Sequence, residues 1–452
     1  MATILGKPYV RADGPEKVTG QGRYTADLAL PGMLHARFLY AGRAHARILR
    51  LDLTRARALP GVFAVLCQDD VPDVRYGPFV KDRTLFARDV VRYEGEIVAA
   101  VAALDESSPL VHEAWESYES GDCFVGHNDS GLSTAVKGDA ASAMAESDIV
   151  VRERYVADTS HPVPIEPHAI VAQWQGERLT VWTTSQVPFM ARSGIAETLA
   201  MPESRVRVIV PHLGGGFGGK CDFHFEGHVA ALARAAKRPV RLLFTRRECF
   251  VVPDKARHAI VMDLETGMKA DGTLHARRAR LYLQSGAYAA DSPVLTEIAT
   301  MMAVGPYRIP HVDVAGHTVY TNTTVAGSTR APTGPQICWA VEQHTDVLAA
   351  RAGLDPLEFR RRNLVHEGDE GPTRQVFERI GLLECLENAA RDIGWDRPRA
   401  EGEGVGLSCG WWFSMPSPSG AFVKLNGDGS GTIITGAEES GTGAVMGLPL
   451  LA

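Results

Sequence analysis

The feature that most constrains this chain is a glycine-rich run at residues 211–221, with the sequence PHLGGGFGGKC. The β-branched residues before it, 206–210, predict a strand. The residues after it, 222–237, carry apolar side chains at helical spacing and predict a helix. Glycines between a strand and a helix let the backbone approach a ligand closely, and unpaired amides at a helix start attract anionic or oxo groups. The run therefore predicts a binding loop.

Three interpretations of the loop stay open on its own residues. Residues 214–220 fit the phosphate-binding pattern G-x-x-x-x-G-K, but Cys221 stands where a Ser or Thr should bind magnesium. Residues 214–219 also fit the dinucleotide pattern G-x-G-x-x-G, but the next predicted strand, 240–244, leads to Thr-Arg-Arg instead of an acid for the ribose. The third interpretation is a tight turn that binds nothing.

Composition excludes several classes of protein. A length of 452 residues predicts two to four domains, and a net charge of −7 argues against a nucleic-acid scaffold. The seven cysteines include no C-x-x-C pair, so we expect a reducing compartment and no iron–sulfur or zinc site in this chain. The N-terminus lacks a signal-peptide apolar run, and no apolar run is long enough to span a membrane. These features predict a cytoplasmic protein.

The order of predicted elements indicates an α+β fold in three units, residues 8–125, 138–395 and 400–452. The first unit contains four predicted strands and a short helix that starts at Thr54; the strands are residues 34–40, 48–53, 62–66 and 96–103. Residues 128–131 resemble a loose linker. The third unit offers only one predicted hairpin, which cannot bury its own apolar face. We therefore expect the third domain to be incomplete.

The second unit mixes hairpins with helices. Its predicted elements are a short helix at 138–145, strands at 170–174, 179–184, 260–264 and 276–283, and helices at 337–348, 357–364 and 383–393. Gly353 and Gly394 predict two helix ends, and Asp355 followed by Pro356 predicts a helix start.

Four further strings decide between the interpretations of the loop. They are IEPHAIVA at 165–172, TTSQ at 183–186, STRAPTGPQ at 328–336 and GLDPLEFRRRN at 353–363. Each resembles a string of the molybdenum hydroxylases, the xanthine dehydrogenase and aldehyde oxidase family, and GGGFGGK resembles the cofactor loop of that family. The phosphate-binding and dinucleotide interpretations predict none of these strings. The resemblance covers nearly the whole chain.

The resemblance implies a domain for each unit. Residues 8–125 resemble the hammerhead α/β domain, although residues 107–121 depart from its pattern. Residues 138–395 resemble the first molybdopterin-binding domain, a mixed α/β domain. Residues 400–452 resemble the start of a second molybdopterin-binding domain, which a partner chain would complete.

The resemblance also implies the cofactor site. The expected cofactor-binding residues are Gln186, Gly215, Gly216, Phe217, Gly218, Arg330, Gly441, Thr442 and Gly443. Gln186 matches the glutamine that hydrogen-bonds an oxygen on the metal, and an amide suits this role because it donates without adding charge. Thr442 replaces the glutamine of the family's G-Q-G segment, which weakens the expected pterin contacts there. The metal is held through the pterin, so no direct protein ligand is expected.

Three neighbours of these residues are harder to interpret. Lys220 would either meet a phosphate or face solvent at the helix start. Glu166 and His168 resemble catalytic residues by type, but in the family they mostly support the fold. We therefore expect buried structural hydrogen bonds from both.

The expected substrate pocket contains Cys221, Ile298 and Pro332. Cys221 replaces the glutamate, and Ile298 the arginine, with which purine-oxidising members hold their substrate ring. Pro332 lies in Ala-Pro-Thr, where the family usually has Gly-Phe-Gly. These departures favour an N-heteroaromatic ring of lower polarity, or an aldehyde, over xanthine.

The resemblance implies a hydroxylase that takes its oxygen from water and works in a complex. The family's general base lies in a region that this chain does not contain, so no catalytic residue is assigned here. We expect the N-terminal half of a split chain, as in nicotinate dehydrogenase. Its expected partners are a second molybdopterin-binding subunit, an iron–sulfur [2Fe-2S] subunit and an FAD subunit, and its cofactor a molybdopterin cytosine dinucleotide. The alternatives are a P-loop-like nucleotide-binding protein and a non-catalytic assembly subunit.

Overall fold

The computed structural model describes residues 7–104, 129–252, 255–371, 374–412 and 419–451. The departure expected at residues 107–121 lies outside these ranges. The strands are β1 (Leu34–Tyr40), β2 (Ala46–Arg47), β3 (Val62–Cys67), β4 (Val90–Val91), β5 (Ile97–Ala103), β6 (Asp129–Lys137), β7 (Ile149–Ala157), β8 (Ala169–Gln175), β9 (Arg178–Thr183), β10 (Val206–Ile209), β11 (Val240–Leu243), β12 (Ile260–Met268), β13 (Leu274–Gly286), β14 (His311–Tyr320), β15 (Ala421–Leu425) and β16 (Gly431–Thr435).

The helices are α1 (Gly14–Val18), α2 (Thr54–Ala58), α3 (Ala140–Ala145), α4 (Pro188–Thr198), α5 (Glu226–Ala236), α6 (Glu248–Val251), α7 (Ser292–Met302), α8 (Gly334–Ala352), α9 (Pro356–Asn363), α10 (Leu382–Ile393) and α11 (Ala444–Leu451). Helices and largely antiparallel sheets thus share the chain, as the expected α+β class requires. Within the described ranges, every helix is too short or too polar to span a lipid bilayer.

A seven-stranded sheet connects the first predicted unit to the second. Its strand order is β10-β9-β8-β11-β1-β5-β3, with β1 parallel to β11 and β10 parallel to β9. Helix α5 packs on this sheet, and together they bury a core that includes Phe38, Ile170, Val181, Leu232 and Leu242. Three strands of the core therefore come from residues before 104 and four from residues after 168.

A second sheet of five strands has the order β6-β14-β13-β12-β7. Helices α7 and α8 cover one face, and the core there includes Met262, Leu281, Val314, Ile337 and Leu348. Strand β6 includes residues 129–131, so the prediction of a loose linker at 128–131 was wrong for these three. The turn-forming composition of these residues indicated a linker, but they form a strand because they pair with β14, which lies far along the chain.

Local signals predicted the helix ends well. Gly353 and Gly394 end α8 and α10 in the left-handed conformation, with φ of +66° and +64°. Asp355 caps α9 by accepting from the amides of Leu357 and Glu358. These predictions are confirmed because each depends only on neighbouring residues.

One predicted helix begins later than expected, and one predicted strand is absent. The helix expected from residue 222 begins at Glu226, because Asp222 accepts from the amide of Phe223 and Glu226 accepts from the amides of His224 and Phe225. These bonds hold residues 222–225 outside the helix. Residues 48–53 are not a strand, and the short strand in this region is β2, which pairs with β4.

The hairpin expected in the third unit is present as β15 and β16. In the described part of the chain these strands pair only with each other, and all of β15 is exposed. The exposed apolar side chains of the hairpin include Phe422 and Leu425 on β15 and Ile434 on β16. That this hairpin belongs to a larger domain stays a prediction.

Candidate functional site

The glycine loop between β10 and α5 has a backbone that ordinary residues rarely adopt. Gly215 and Gly218 have φ of +90° and +91°, and Phe217 between them has φ of +52°. A non-glycine residue at positive φ costs about 1–2 kcal/mol. The Phe217 side chain is 45% exposed, so it is not a core aromatic. The loop therefore presents Phe217 outward in a strained conformation.

Gln186 is attached to this loop at two points. Its side-chain Oε1 accepts from the Gly218 amide at 2.9 Å, and its own amide donates to the Lys220 carbonyl at 2.9 Å. A Cβ at Gly216 would overlap the Gln186 side chain, so a larger residue there would displace Gln186. Because Oε1 accepts from the loop, Nε2 is left as a donor toward the space beside it.

A second loop, residues 326–333, packs directly on the first. The Arg330 amide donates to the Phe217 carbonyl at 2.8 Å. A Cβ at Gly218 would overlap the Ser328 carbonyl, so the two backbones touch at this point. Arg257 adds a bond from Nη2 to the Arg330 carbonyl at 2.7 Å. Gln186, Phe217 and Arg330 therefore lie in one site, as the motifs predicted.

Lys220 does neither of the two things expected of it. Its side chain is fully buried, and Nζ donates to the carbonyl and to Oε2 of Glu166, both at 2.9 Å. Glu166 Oε2 also accepts from the Gly214 amide at 2.8 Å. Lys220 is thus turned inward and cannot bind a phosphate in the loop, which removes the basis of the phosphate-binding interpretation. The structural role expected of Glu166 is confirmed.

His168 is buried and structural, as expected. Its carbonyl accepts from the Phe244 amide at 3.0 Å, and its ring packs against Phe225 and His224. Nothing in this arrangement exposes the imidazole to a ligand.

A buried ion pair under the two loops was not found by sequence reasoning. Lys255 Nζ donates to the Cys221 carbonyl at 2.9 Å and to Asp291 Oδ2 at 2.8 Å. Asp291 also accepts from the amide and hydroxyl of Ser328. Burial opposes charge on Lys255, but Asp291 and Asp222 keep the pKa of Lys255 above its usual value. No sequence motif indicated these residues.

The three expected pocket residues lie in two different surroundings. Cys221 ends the glycine loop and Pro332 lies in the second loop, and both are partly buried. Burial raises the pKa of the Cys221 thiol. Ile298, on α7, is a buried member of the second core.

The segment at 441–443 differs from the glycine loop. Gly441 and Thr442 are exposed. The Glu439 carboxylate accepts from the amides of Gly441, Gly443 and Val445, at 2.8, 3.1 and 2.9 Å. The amides of Gly441 and Gly443 are thus occupied by an internal carboxylate.

The glycine loop has the features of an anion-binding site. Among the described residues, the amides of Gly215, Gly216 and Phe217 meet no hydrogen-bond acceptor. The Arg330 backbone is bonded to Phe217 and the Arg257 side chain to the Arg330 carbonyl, and neither arginine forms an ion pair within the described ranges. Burial, together with the nearby Arg330 charge, lowers the pKa of Arg257. Free amides and two like charges suit an anionic group.

No cluster of three or more metal-binding side chains occurs in the described part of the chain. The glycine loop, the Gln186 amide and the second loop that packs on them form the kind of site that suits an anionic cofactor held through backbone and amide groups. The model of the molybdopterin cofactor-binding domain matches residues 126–364, and that of the aldehyde oxidase and xanthine dehydrogenase a/b hammerhead domain matches residues 19–109. The chain belongs to the aldehyde oxidase and xanthine dehydrogenase family.

Named relatives agree with this assignment. The chain is 36% identical to the nicotinate dehydrogenase large molybdopterin subunit of Eubacterium barkeri, over 88% of this chain and 99% of that one. It is 31% identical to a xanthine dehydrogenase molybdenum-binding subunit of Escherichia coli, over 96% of this chain but 64% of that one. The solved quinoline 2-oxidoreductase of Pseudomonas putida matches with a TM-score of 0.86 and 27% identity, over 98% of this chain and 63% of that one. The chain thus spans less than two thirds of the latter two relatives.

Proposed function

We propose that this chain is the molybdenum-binding subunit of a multi-subunit hydroxylase that oxidises an N-heteroaromatic or aldehyde substrate with oxygen from water. The observation that carries the proposal is the clamp of Gly218 between Gln186 and Ser328, next to three amides, at 215–217, that meet no acceptor among the described residues. When bound, a molybdenum–pterin cofactor supplies a metal that activates water and accepts electrons. The chain's own residues bind and orient it.

Each of these residues has a distinct task in the proposal. Gln186 Nε2 donates toward an oxygen on the cofactor, because Oε1 is held by Gly218. The amides of Gly215, Gly216 and Phe217 and the charge of Arg330 stabilise an anionic cofactor. Gly441, Thr442 and Gly443 meet the pterin only after the amides of Gly441 and Gly443 leave Glu439. The last step predicts a rearrangement of this segment on cofactor binding.

The substrate site is proposed to lie beside Cys221, Pro332 and Ile298. None of these side chains carries the charge that would hold a purine by ion pairing. Two of the relatives are named for nicotinate and quinoline, and both are N-heteroaromatic rings.

The partners and the form of the cofactor are also part of the proposal. Similarity over nearly all of a nicotinate dehydrogenase large molybdopterin subunit supports a second molybdopterin-binding subunit. That subunit would supply the general base. Iron–sulfur and FAD subunits would carry the electrons away, and the cofactor would be the cytosine dinucleotide form. A cytoplasmic location fits this assembly.

The test is metal and pterin analysis of the full chain purified with the subunits that co-purify. We expect molybdenum in near-stoichiometric amount and release of CMP on mild acid hydrolysis. A complex without molybdenum and pterin would overturn the proposal. A cofactor-loaded complex that turns over no N-heteroaromatic compound or aldehyde would favour the non-catalytic alternative.

A further inference from the structure

The short segment 255–258 makes contacts with both loops of the site. The Lys255 carbonyl accepts from the Thr329 hydroxyl at 2.9 Å, and Ala256 exchanges backbone hydrogen bonds with Val325 and Gly327. Arg257 donates to the Arg330 carbonyl. The second loop is therefore attached to this segment along most of its length.

The same segment reaches the glycine loop through a single side chain. Lys255 Nζ donates to the Cys221 carbonyl, where the glycine loop ends, and lies 3.6 Å from Asp222 Oδ2. Its other partner, Asp291, accepts from Ser328 of the second loop. One buried ammonium group thus links the two loops, directly on one side and through a carboxylate on the other.

The charges around this link balance. Two cations, Lys255 and Arg83, face two carboxylates, Asp222 and Asp291, and all four residues are at least 92% buried. Removing a single member would leave an unpaired buried charge, which destabilises a protein strongly whatever the role of the pair. A test of function must therefore remove one cation and one carboxylate together.

We propose that Lys255 and Asp291 are positioning residues that fix the spacing between the glycine loop and the second loop. Gly218 touches the Ser328 carbonyl, so a small separation of the loops would release Phe217 and change the direction of the amides at 215–217. The consequence for cofactor retention rests on the proposed function. The consequence for the loops themselves does not.

The experiment uses the full chain with its co-purifying subunits and the double variant Lys255→Met/Asp291→Asn. We expect amide hydrogen exchange in peptides 214–221 and 326–332 to rise roughly tenfold, because local opening loses its buried link. Molybdenum content should fall with it. The milder variant Ser328→Ala removes one bond to Asp291 and should raise exchange mainly in 326–332.

The matched control is Arg360→Met/Glu342→Gln, which removes another buried pair in the same unit. Arg360 and Glu342 are joined at 3.0 Å and are 0% and 5% exposed. This control should lower the melting temperature without changing exchange in either loop. Equal effects of both double variants on the loops, or unchanged loop exchange in the first, would overturn the proposal. A wild-type complex without molybdenum but with the expected exchange pattern would support the positioning role and refute only the proposed function.

Discussion

Two glycine-rich segments were expected to meet the same cofactor, and they are built differently. In the glycine loop, a Cβ at Gly214, Gly216 or Gly218 would overlap Glu166, Gln186 or Ser328. At Gly441 and Gly443, a Cβ would meet nothing within 4 Å, although both residues have positive φ. Glycine is thus required by packing in the first segment and by backbone conformation alone in the second. The glycine loop is fully packed against its neighbours in this chain, whereas the segment at 441–443 has open space around it.

The largest expected effect on the free energy of unfolding comes from the buried Lys220–Glu166 ion pair, which supports the glycine loop. Lys220→Met should lower the free energy of unfolding by about 4 kcal/mol, because it leaves Glu166 buried without its cation. The matched control is Lys81→Met, which breaks an exposed pair with Glu197 and should cost less than about 1 kcal/mol. Chemical denaturation of both variants measures the difference. Equal losses would show that the buried Lys220–Glu166 pair stabilises the fold no more than the exposed Lys81–Glu197 pair does.

The next effect compares the two segments directly. Gly218→Ala should cost roughly 3 kcal/mol, since the new Cβ meets the Ser328 carbonyl and φ is unfavourable. Gly441→Ala has the same unfavourable sign of φ but open space, and should cost about 1 kcal/mol. Thermal unfolding of the two variants checks this order. A larger loss of stability in Gly441→Ala than in Gly218→Ala would contradict the conclusion that only the glycine loop requires glycine for packing.

A pH dependence should appear only in the second segment. Burial raises the pKa of Glu438 to about 7, above the value of the unfolded chain. The folded state therefore holds a proton that the unfolded state has released between roughly pH 4.5 and 7, and stability of this segment falls as pH rises through that window. Hydrogen exchange of residues 436–445 should increase from pH 5 to 8 beyond the intrinsic rate.

The control for this prediction is Glu438→Gln, which should abolish the pH dependence. The glycine loop should show none in the same range. An identical pH response in the variant would assign the effect to another group.

The smallest effect on stability is expected from Thr442→Gln. Thr442 is exposed, so the free energy of unfolding should change by less than about 0.5 kcal/mol. Retention of molybdenum during gel filtration should nevertheless improve, because the glutamine amide adds a donor where the pterin is proposed to lie. Unchanged retention would remove Thr442 from the cofactor site.

Sequence reasoning found the parts of the site that depend on neighbours in the chain. The loop glycines, Gln186 and Arg330 were identified by motif, and the structure brings them together. The Lys255–Asp291 pair was missed because its members are 36 residues apart and neither lies in a motif. Strand β6 was missed because its partner is far along the chain, and the start of α5 because the Glu226 side chain binds the amides before it.

The position of β11 in the seven-stranded sheet has a consequence for synthesis of the chain. This strand lies between β8 and β1, and it is the last of the seven to leave the ribosome. Until residues 240–243 emerge, the nascent chain carries two half-sheets, each with an open hydrogen-bonding edge. Open edges invite pairing with other chains, so a pause or truncation before this point should produce aggregates.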